Sequence, residues 1–342
     1  MKHPASVDIA VLILFFNRPK ALEKVFAAIR EARPARLYLY QDGARGERDI
    51  PGIDACRQVV ADEQIDWECD VRRNYREENS GCDPSNFNAQ KWAFSLSDKV
   101  VVFEDDSIPS VSFIRFCKEM LDRYEDDERI TLISGFNADE VTPNVPDDYF
   151  FTSIFSIWGW ASWRRVIDQW DEHYSVLDDK YNWHQITALA KARQKRDSLT
   201  KMPYDHRASG KAYYESIFWI TMMLNSGLAI TPTRNMINNL GPLAGDNVHY
   251  TDTLDTMPRR LRRLFTMRRF ELEWPLRHPK YVIENIDYKE SVYRTNAWNH
   301  PWIKVRYSLE ELWYNIRRGN VNAITKAFVN RLNIWTGRRK HK

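Results

Sequence analysis

The chain has no C-x-x-C pair, no internal repeat, no low-complexity tract and no apolar run near the length of a bilayer span. Its four cysteines, Cys56, Cys69, Cys82 and Cys117, are scattered. That excludes the paired spacing of a metal or redox motif and fits reduced thiols of a cytoplasmic chain, mostly in its core. A membrane-spanning helix needs roughly 20 consecutive apolar residues, and none is present. The short apolar run near the N-terminus follows Asp8 and serves better as a first strand than as a signal peptide. The turn after it, Asn17-Arg18-Pro19, contains no glycine, which argues against a Gly-rich loop cradling a triphosphate.

Aromatic residues are abundant. There are 13 Trp, 16 Tyr and 16 Phe in 342 residues; such rings line sugar sites but also fill cores and membrane interfaces. The length suffices for a full α/β core with an appendage. The net charge of +3 is unevenly placed. Residues 258–342 hold 20 Lys+Arg against 7 Asp+Glu, or +13, and the rest holds 30 against 40, or −10. The break predicts a domain over 1–257 and a basic, mostly helical extension over 258–342. Met257–Phe270 reads as a basic helix with an apolar stripe, and a second basic, Trp-bearing stretch runs from Trp302 to Trp335. Two roles fit: packing against the acidic domain with the arginines in solvent, which is slightly favoured, or docking on an anionic membrane surface. No recognised motif accompanies the charge, so a nucleic-acid partner is not expected.

The most informative segment is Val100-Val101-Val102-Phe103-Glu104-Asp105-Asp106. An apolar, β-branched run entering three acids reads as a buried parallel strand that ends in negative charge. Alternation along a strand would point Glu104 and Asp106 one way and Asp105 the other. Like charges about 4 Å apart repel by about 4 kcal/mol at an effective dielectric near 20. Such a cluster therefore calls for a cation or for protons, and oxygen ligands suit Mg²⁺ or Mn²⁺. Two other strand ends join it. Ile9–Phe16 precedes Asn17-Arg18-Pro19, with Leu22, Val25, Phe26 and Ile29 at helical spacing behind. Leu37–Tyr40 precedes Gln41-Asp42-Gly43. Strand, helix and strand in about 30 residues make a βαβ unit, and ligands bind beyond the carboxyl ends of such strands.

Further along, Ile53, Cys56, Val59 and Val60 mark a helix, and Cys69–Arg72 a short strand. Asp83-Pro84 reads as a cap and first turn for a helix over Ser85–Ser97. Ser110 reads as the cap of a helix carrying Phe113, Phe116, Cys117, Met120 and Leu121. Ile130–Ser134 reads as another strand and Thr142–Asp148 as a loop.

Seven motifs in order carry a resemblance: Phe-Asn-Arg-Pro, Gln-Asp-Gly, Glu-Asn-Ser-Gly-Cys, Phe-Glu-Asp-Asp, Ser-Phe-Ile-Arg-Phe-Cys, Asp-Asp-Glu-Arg-Ile and Ile-Trp-Gly-Trp-Ala-Ser-Trp-Arg-Arg. Over roughly residues 8–250 the chain resembles the bacterial sugar transferases labelled hemolytic-protein-like, and more distantly N-acetylglucosaminyltransferase I. The resemblance implies the GT-A fold, an α/β, Rossmann-like, mostly parallel sheet flanked by helices. A nucleotide-binding half would span about 7–109 and an acceptor half about 110–257. It also implies a metal-dependent glycosyltransferase that moves a sugar from a nucleotide-sugar donor, a UDP-sugar first, to a glycan or glycolipid acceptor in surface polysaccharide synthesis. Its place would be the cytoplasm or the inner face of the membrane.

By that resemblance Asp106 is the main metal ligand, and Glu104 or Asp105 contacts metal, ribose or donor sugar. Asp42, with Gly43, meets the base, and Asn17 and Arg18 lie beside the nucleotide. Trp158, Gly159 and Trp160 line the sugar site, although core packing fits the two tryptophans equally well. Glu215 stands where relatives have a catalytic aspartate, one methylene longer. Asn239-Leu240-Gly241 and Gly245–His249 resemble a closing loop, with His249 near metal or phosphate. One base and no enzymic nucleophile imply direct displacement with inversion. Two alternatives are a sugar-nucleotide pyrophosphorylase and a non-catalytic, membrane-associated binding or lytic protein.

Overall fold

A computed structural model of the chain describes residues 2–190, 193–241, 254–321, 324, 325 and 329. The elements run β1 (Val7–Phe15), α1 (Pro19–Ala32), β2 (Pro34–Gln41), α2 (Ile50–Val59), β3 (Asp70–Tyr75), α3 (Cys82–Leu96), β4 (Lys99–Glu104) and β5 (Ser107–Pro109). Then follow α4 (Ser112–Arg123), β6 (Ile130–Ser134), β7 (Tyr149–Thr152), β8 (Trp160–Trp163), α5 (Arg164–Ile167), α6 (Lys180–Ala188), α7 (Arg193–Ser209) and α8 (Tyr214–Leu224). β9 (Leu228–Pro232), β10 (Ile237–Asn239), α9 (Arg259–Arg263), α10 (Ile286–Thr295) and α11 (Pro301–Arg317) complete the series.

Eight strands form one mostly parallel sheet in the order β3-β2-β1-β4-β8-β6-β9-β7, and β10 pairs with β5 in a separate ribbon. This is the mixed α/β architecture with flanking helices that the sequence predicts. β1 is buried for seven consecutive residues because helices α3 and α4 pack on it while β2 and β4 flank it in the sheet. A central parallel strand therefore reads as a continuous apolar run. From β1 the chain steps outward through β2 to β3, then returns through α3 to β4 on the other side of β1. The strand order reverses there, which opens a crevice at the carboxyl ends of β1 and β4. Leu14 is in register with Glu104, so the turn after β1 lies beside the acids after β4.

The helix starts differ from the sequence reading. α3 begins after Gly81, and neither Asp83 nor any other side chain caps it. β3 is shifted to Asp70–Tyr75. Ser110 does not cap α4: its N–H donates to Met236 O at 2.7 Å, and its hydroxyl is buried without a partner among the described residues. The open N–H groups of Val111 and Ser112 instead donate to the two carboxylate oxygens of Glu271, at 3.0 and 2.8 Å. A carboxylate at a helix start satisfies orphan donors and favours the helix dipole.

The basic segment Met257–Phe270 is not one helix. α9 stops at Arg263, and the following backbone turns to acceptors of the sheet domain. Arg268 N donates to Glu140 Oε1 at 2.8 Å and Phe270 N to Asn235 O at 2.9 Å, while Phe265 and Met267 are buried. Beyond it, Trp274 Nε1 donates to Glu119 at 2.6 Å under the Arg115 guanidinium. Glu284 bridges to Phe151 on the sheet's edge strand β7. α10 buries Tyr288, Val292 and Tyr293 against Phe150 and Ile154 in a second, small core.

Candidate functional site

The crevice at the switch point is a cleft of about 780 Å³. Its floor is the end of β4. The strand stops at Glu104, so the expected alternation ends there too: Asp105 and Asp106 sit in the following turn, and all three acids line the same cleft. Arg18, two residues beyond the Phe16 turn of β1, reaches across. Its guanidinium pairs with the Asp105 carboxylate and lies 3.1 Å from Asp106 Oδ2. Burial works against the Arg18 charge, but Asp105 and Asp106 more than offset that and raise its pKa. Asp105 is buried at 2% exposure and Asp106 at 5%.

One guanidinium faces three carboxylates, and the imbalance is felt. Burial, then the Asp106 charge, pushes the Glu104 carboxyl well above its ordinary range. Burial raises Asp105 too, although Arg18 pulls it back. Tyr214, fully buried on α8, donates its hydroxyl to Glu104 Oε1 at 2.8 Å. Asn239 Nδ2 donates to Asp106 Oδ1 at 3.2 Å, because β10 pairs with β5 so that Asn239 stands opposite Ser107. Among the described residues no three His, Cys, Asp or Glu are disposed to hold a metal ion between them. A hard divalent ion commonly takes one or two carboxylates and fills its remaining positions with phosphate oxygens and water. The oxygen-only donor set and the surplus of buried negative charge fit such an ion.

Glu215 lies in the first turn of α8 and faces the same cleft, half-buried. Burial raises its pKa to about 7, into the range of a group that exchanges protons near neutrality.

At the other end, the Asp42 carboxylate is occupied by one turn. It accepts from Ser80 N at 3.0 and 3.2 Å, Gly81 N at 3.1 Å and Asn79 Nδ2 at 3.0 Å. Three donors make four contacts with the carboxylate, close to its full accepting capacity, so Asp42 lines the cleft chiefly as the anchor of the 79–81 turn. Gly43 is the close-approach point of that turn: a Cβ there would stand 2.4 Å from the Glu78 carbonyl carbon. Asn17 donates to Asp49 Oδ1 at 2.9 Å. Arg45 grips Asp49 through Nε at 2.8 Å and Nη2 at 2.7 Å while lying over the Phe16 ring. The Arg45 contacts hold the Asp49 pKa down to about 2.

Trp158 lines the cleft, edge-on to Phe136 and 5.1 Å from Phe265. Gly159 turns the chain at φ +59°, and a Cβ there would meet the Ile237 side chain at 2.5 Å. Trp160 does not join the site. It belongs to β8, is 1% exposed, and stacks between Phe94 and Phe218 in the core. His249 and Gly245–Val248 lie outside the described residues. Tyr214, Asp49 and Arg45 have no site role in the sequence reading, and Asn239, expected in a closing loop, instead sits on β10 against Asp106. The Arg45/Asp49 pair at i, i+4 is a readable signal; the role of Tyr214 depends on the placement of α8.

No protein-family model matches the chain, and no curated protein matches it. Among solved structures it is similar to the UTP-bound UGPase from Acinetobacter baumannii, at 8% identity over 68% of this chain and 88% of that one, with a TM-score of 0.32. It is also similar to mouse xyloside xylosyltransferase 1 in its apo form, at 10% identity over 64% of this chain and 81% of that one, with a TM-score of 0.33.

Proposed function

We propose that the chain is a glycosyltransferase of the GT-A type. It would move a sugar from a nucleoside-diphosphate donor, a UDP-sugar first, to a hydroxyl of a glycan or glycolipid, with inversion at the anomeric carbon. One observation carries this reading: the Glu104–Asp106 cluster, with Asp105 and Asp106 buried, and the raised carboxyl of Glu215 share a single cleft at the sheet's switch point. The cluster suits a charged leaving group, and Glu215 is the acid nearest neutrality that Arg18 does not hold.

Asp106 and Glu104 would hold a Mn²⁺ or Mg²⁺ ion, which when bound offsets charge on the departing diphosphate. Arg18 adds positive charge on the same side. Glu215 takes the proton of the acceptor hydroxyl as that oxygen bonds the anomeric carbon. The bond from that carbon to the diphosphate oxygen breaks, and its electron pair leaves with the nucleoside diphosphate. Trp158 offers an apolar face to the sugar. The glycine-free turn Phe16-Asn17-Arg18-Pro19 weighs against a pyrophosphorylase.

The test is a nucleotide-release assay across UDP-, GDP- and CMP-sugars with manganese, alongside thermal melts with UDP and manganese. Nucleoside diphosphate release from one donor class, with a raised melting temperature, is the expected result. Pyrophosphate release from UTP and a sugar phosphate, or no shift with any nucleotide, would overturn the reading.

A further inference from the structure

Helix α11 is packed on one side, where Tyr307 is buried and donates its hydroxyl to Thr295 O at 2.9 Å, and Asn315 is buried about two turns on. The other side is open. Trp302 is 83% exposed, Val305 49%, Leu309 61%, Leu312 38%, Trp313 53% and Ile316 59%. At about 100° per residue these six fall within an arc of roughly 100°, running the length of the helix. An exposed apolar stripe of this size on a folded chain marks an interaction surface.

Its border shows what it meets. Arg306, which pairs with Glu310 at 2.9 Å, and Arg317 flank the stripe, and the Arg317 guanidinium lies 5.3 Å from the Trp313 ring centre. From Arg318 to Lys342 the sequence holds seven Lys+Arg and no Asp or Glu. An anionic bilayer meets both the apolar stripe and the positive charge beside it, and tryptophans settle at the headgroup level. No described helix is long and apolar enough to cross a membrane, so the helix would lie in the interface plane. The basic segment around α9 does not compete for this role, because Phe265 and Met267 are turned inward.

We propose that α11 is an interfacial helix that docks the protein on an anionic lipid surface through Trp302, Val305, Leu309, Leu312, Trp313 and Ile316, with the basic residues beyond Arg317 adding charge attraction. This is independent of the chemistry in the cleft.

The experiment is flotation of the full chain with phosphatidylcholine vesicles, with and without about one third phosphatidylglycerol. The comparison is the triple variant Trp302→Gln, Leu309→Gln, Trp313→Gln, which keeps the net charge. The full chain is expected to float with the anionic vesicles, less so at high salt, and to leave the neutral ones. The variant is expected to lose about tenfold or more in partitioning at an unchanged melting temperature and solution mass. Failure of the full chain to bind anionic vesicles overturns the proposal, as does equal binding by the variant. A dimer of the full chain that the variant converts to monomer assigns the stripe to a second copy and overturns it too.

Discussion

The hydroxyl of Tyr214 donates to Glu104 across 110 residues of sequence. The first turn of α8 is thereby tied to the end of β4, and Glu215, the next residue on α8, is aimed into the cleft that the acids line. Tyr214→Phe removes a buried donor from a carboxyl already pushed upward by burial and by Asp106. Losing one partner of a buried bond costs about 1 to 3 kcal/mol. Urea melts should show that loss, and donor titrations should show weaker binding.

Glu215→Gln keeps the shape of the side chain and removes the proton acceptor. Turnover should fall by about 100-fold or more while the UDP-induced rise in melting temperature stays. Unchanged turnover in the nucleotide-release assay would remove Glu215 as the base.

The same residue sets a pH dependence. Its carboxyl ordinarily titrates near 4.5 and is raised to about 7 by burial. The base form is the ionised one, so kcat should rise with pH up to about 7 and level off above it. Stability runs the other way. Between 4.5 and 7 the folded state holds more protons than the unfolded state, so this group's contribution falls as pH rises through that window. Glu215→Gln should therefore match the wild type below pH 4.5 and exceed it above pH 7, by on the order of 1 to 3 kcal/mol. Melts across pH 4 to 8 check the sign.

Arg18→Ala leaves Asp105 and Asp106 buried without their guanidinium. Breaking a buried pair this way costs about 3 to 5 kcal/mol. Manganese should restore part of the loss in a thermal melt, and more in Arg18→Ala than in the wild type, because the ion then supplies the positive charge that Arg18 places beside the two carboxylates.

Glu271→Ala opens two N–H groups at the start of α4. A lost cap costs about 0.5 to 2 kcal/mol, and Glu271→Gln, which keeps an acceptor oxygen, should lose less. Both variants should retain donor affinity, since Glu271 does not line the cleft.

Local pattern carried much of this fold. β1, α1, β4 and β6 follow from apolar runs and helical spacing, and the clustering of Asn17, Arg18, Asp42 and Glu104–Asp106 follows from the strand-end rule. The failures share a cause. Ser110 has the composition of a cap, but the acceptor comes from Glu271, 160 residues beyond Val111. Met257–Phe270 has a helical stripe, yet Asn235 and Glu140 take its backbone donors. Trp160 sits one residue past a cleft-lining loop, and pairing with Val102 and Ser134 carries it into the sheet. In each case a distant partner decided, and a single sequence window cannot contain it.

The covering of β7 by Glu284 and Asn285 bears on how the chain is made. Asn285 N donates to Phe151 O at 2.8 Å, and Glu284 accepts from Ser153 N at 2.8 Å. Until Glu284 and Asn285 have left the ribosome, that strand carries open donors and acceptors of the kind that recruit other strands. Completion of the sheet thus waits on late-synthesised chain, and a product cut short at 257 should aggregate rather than fold.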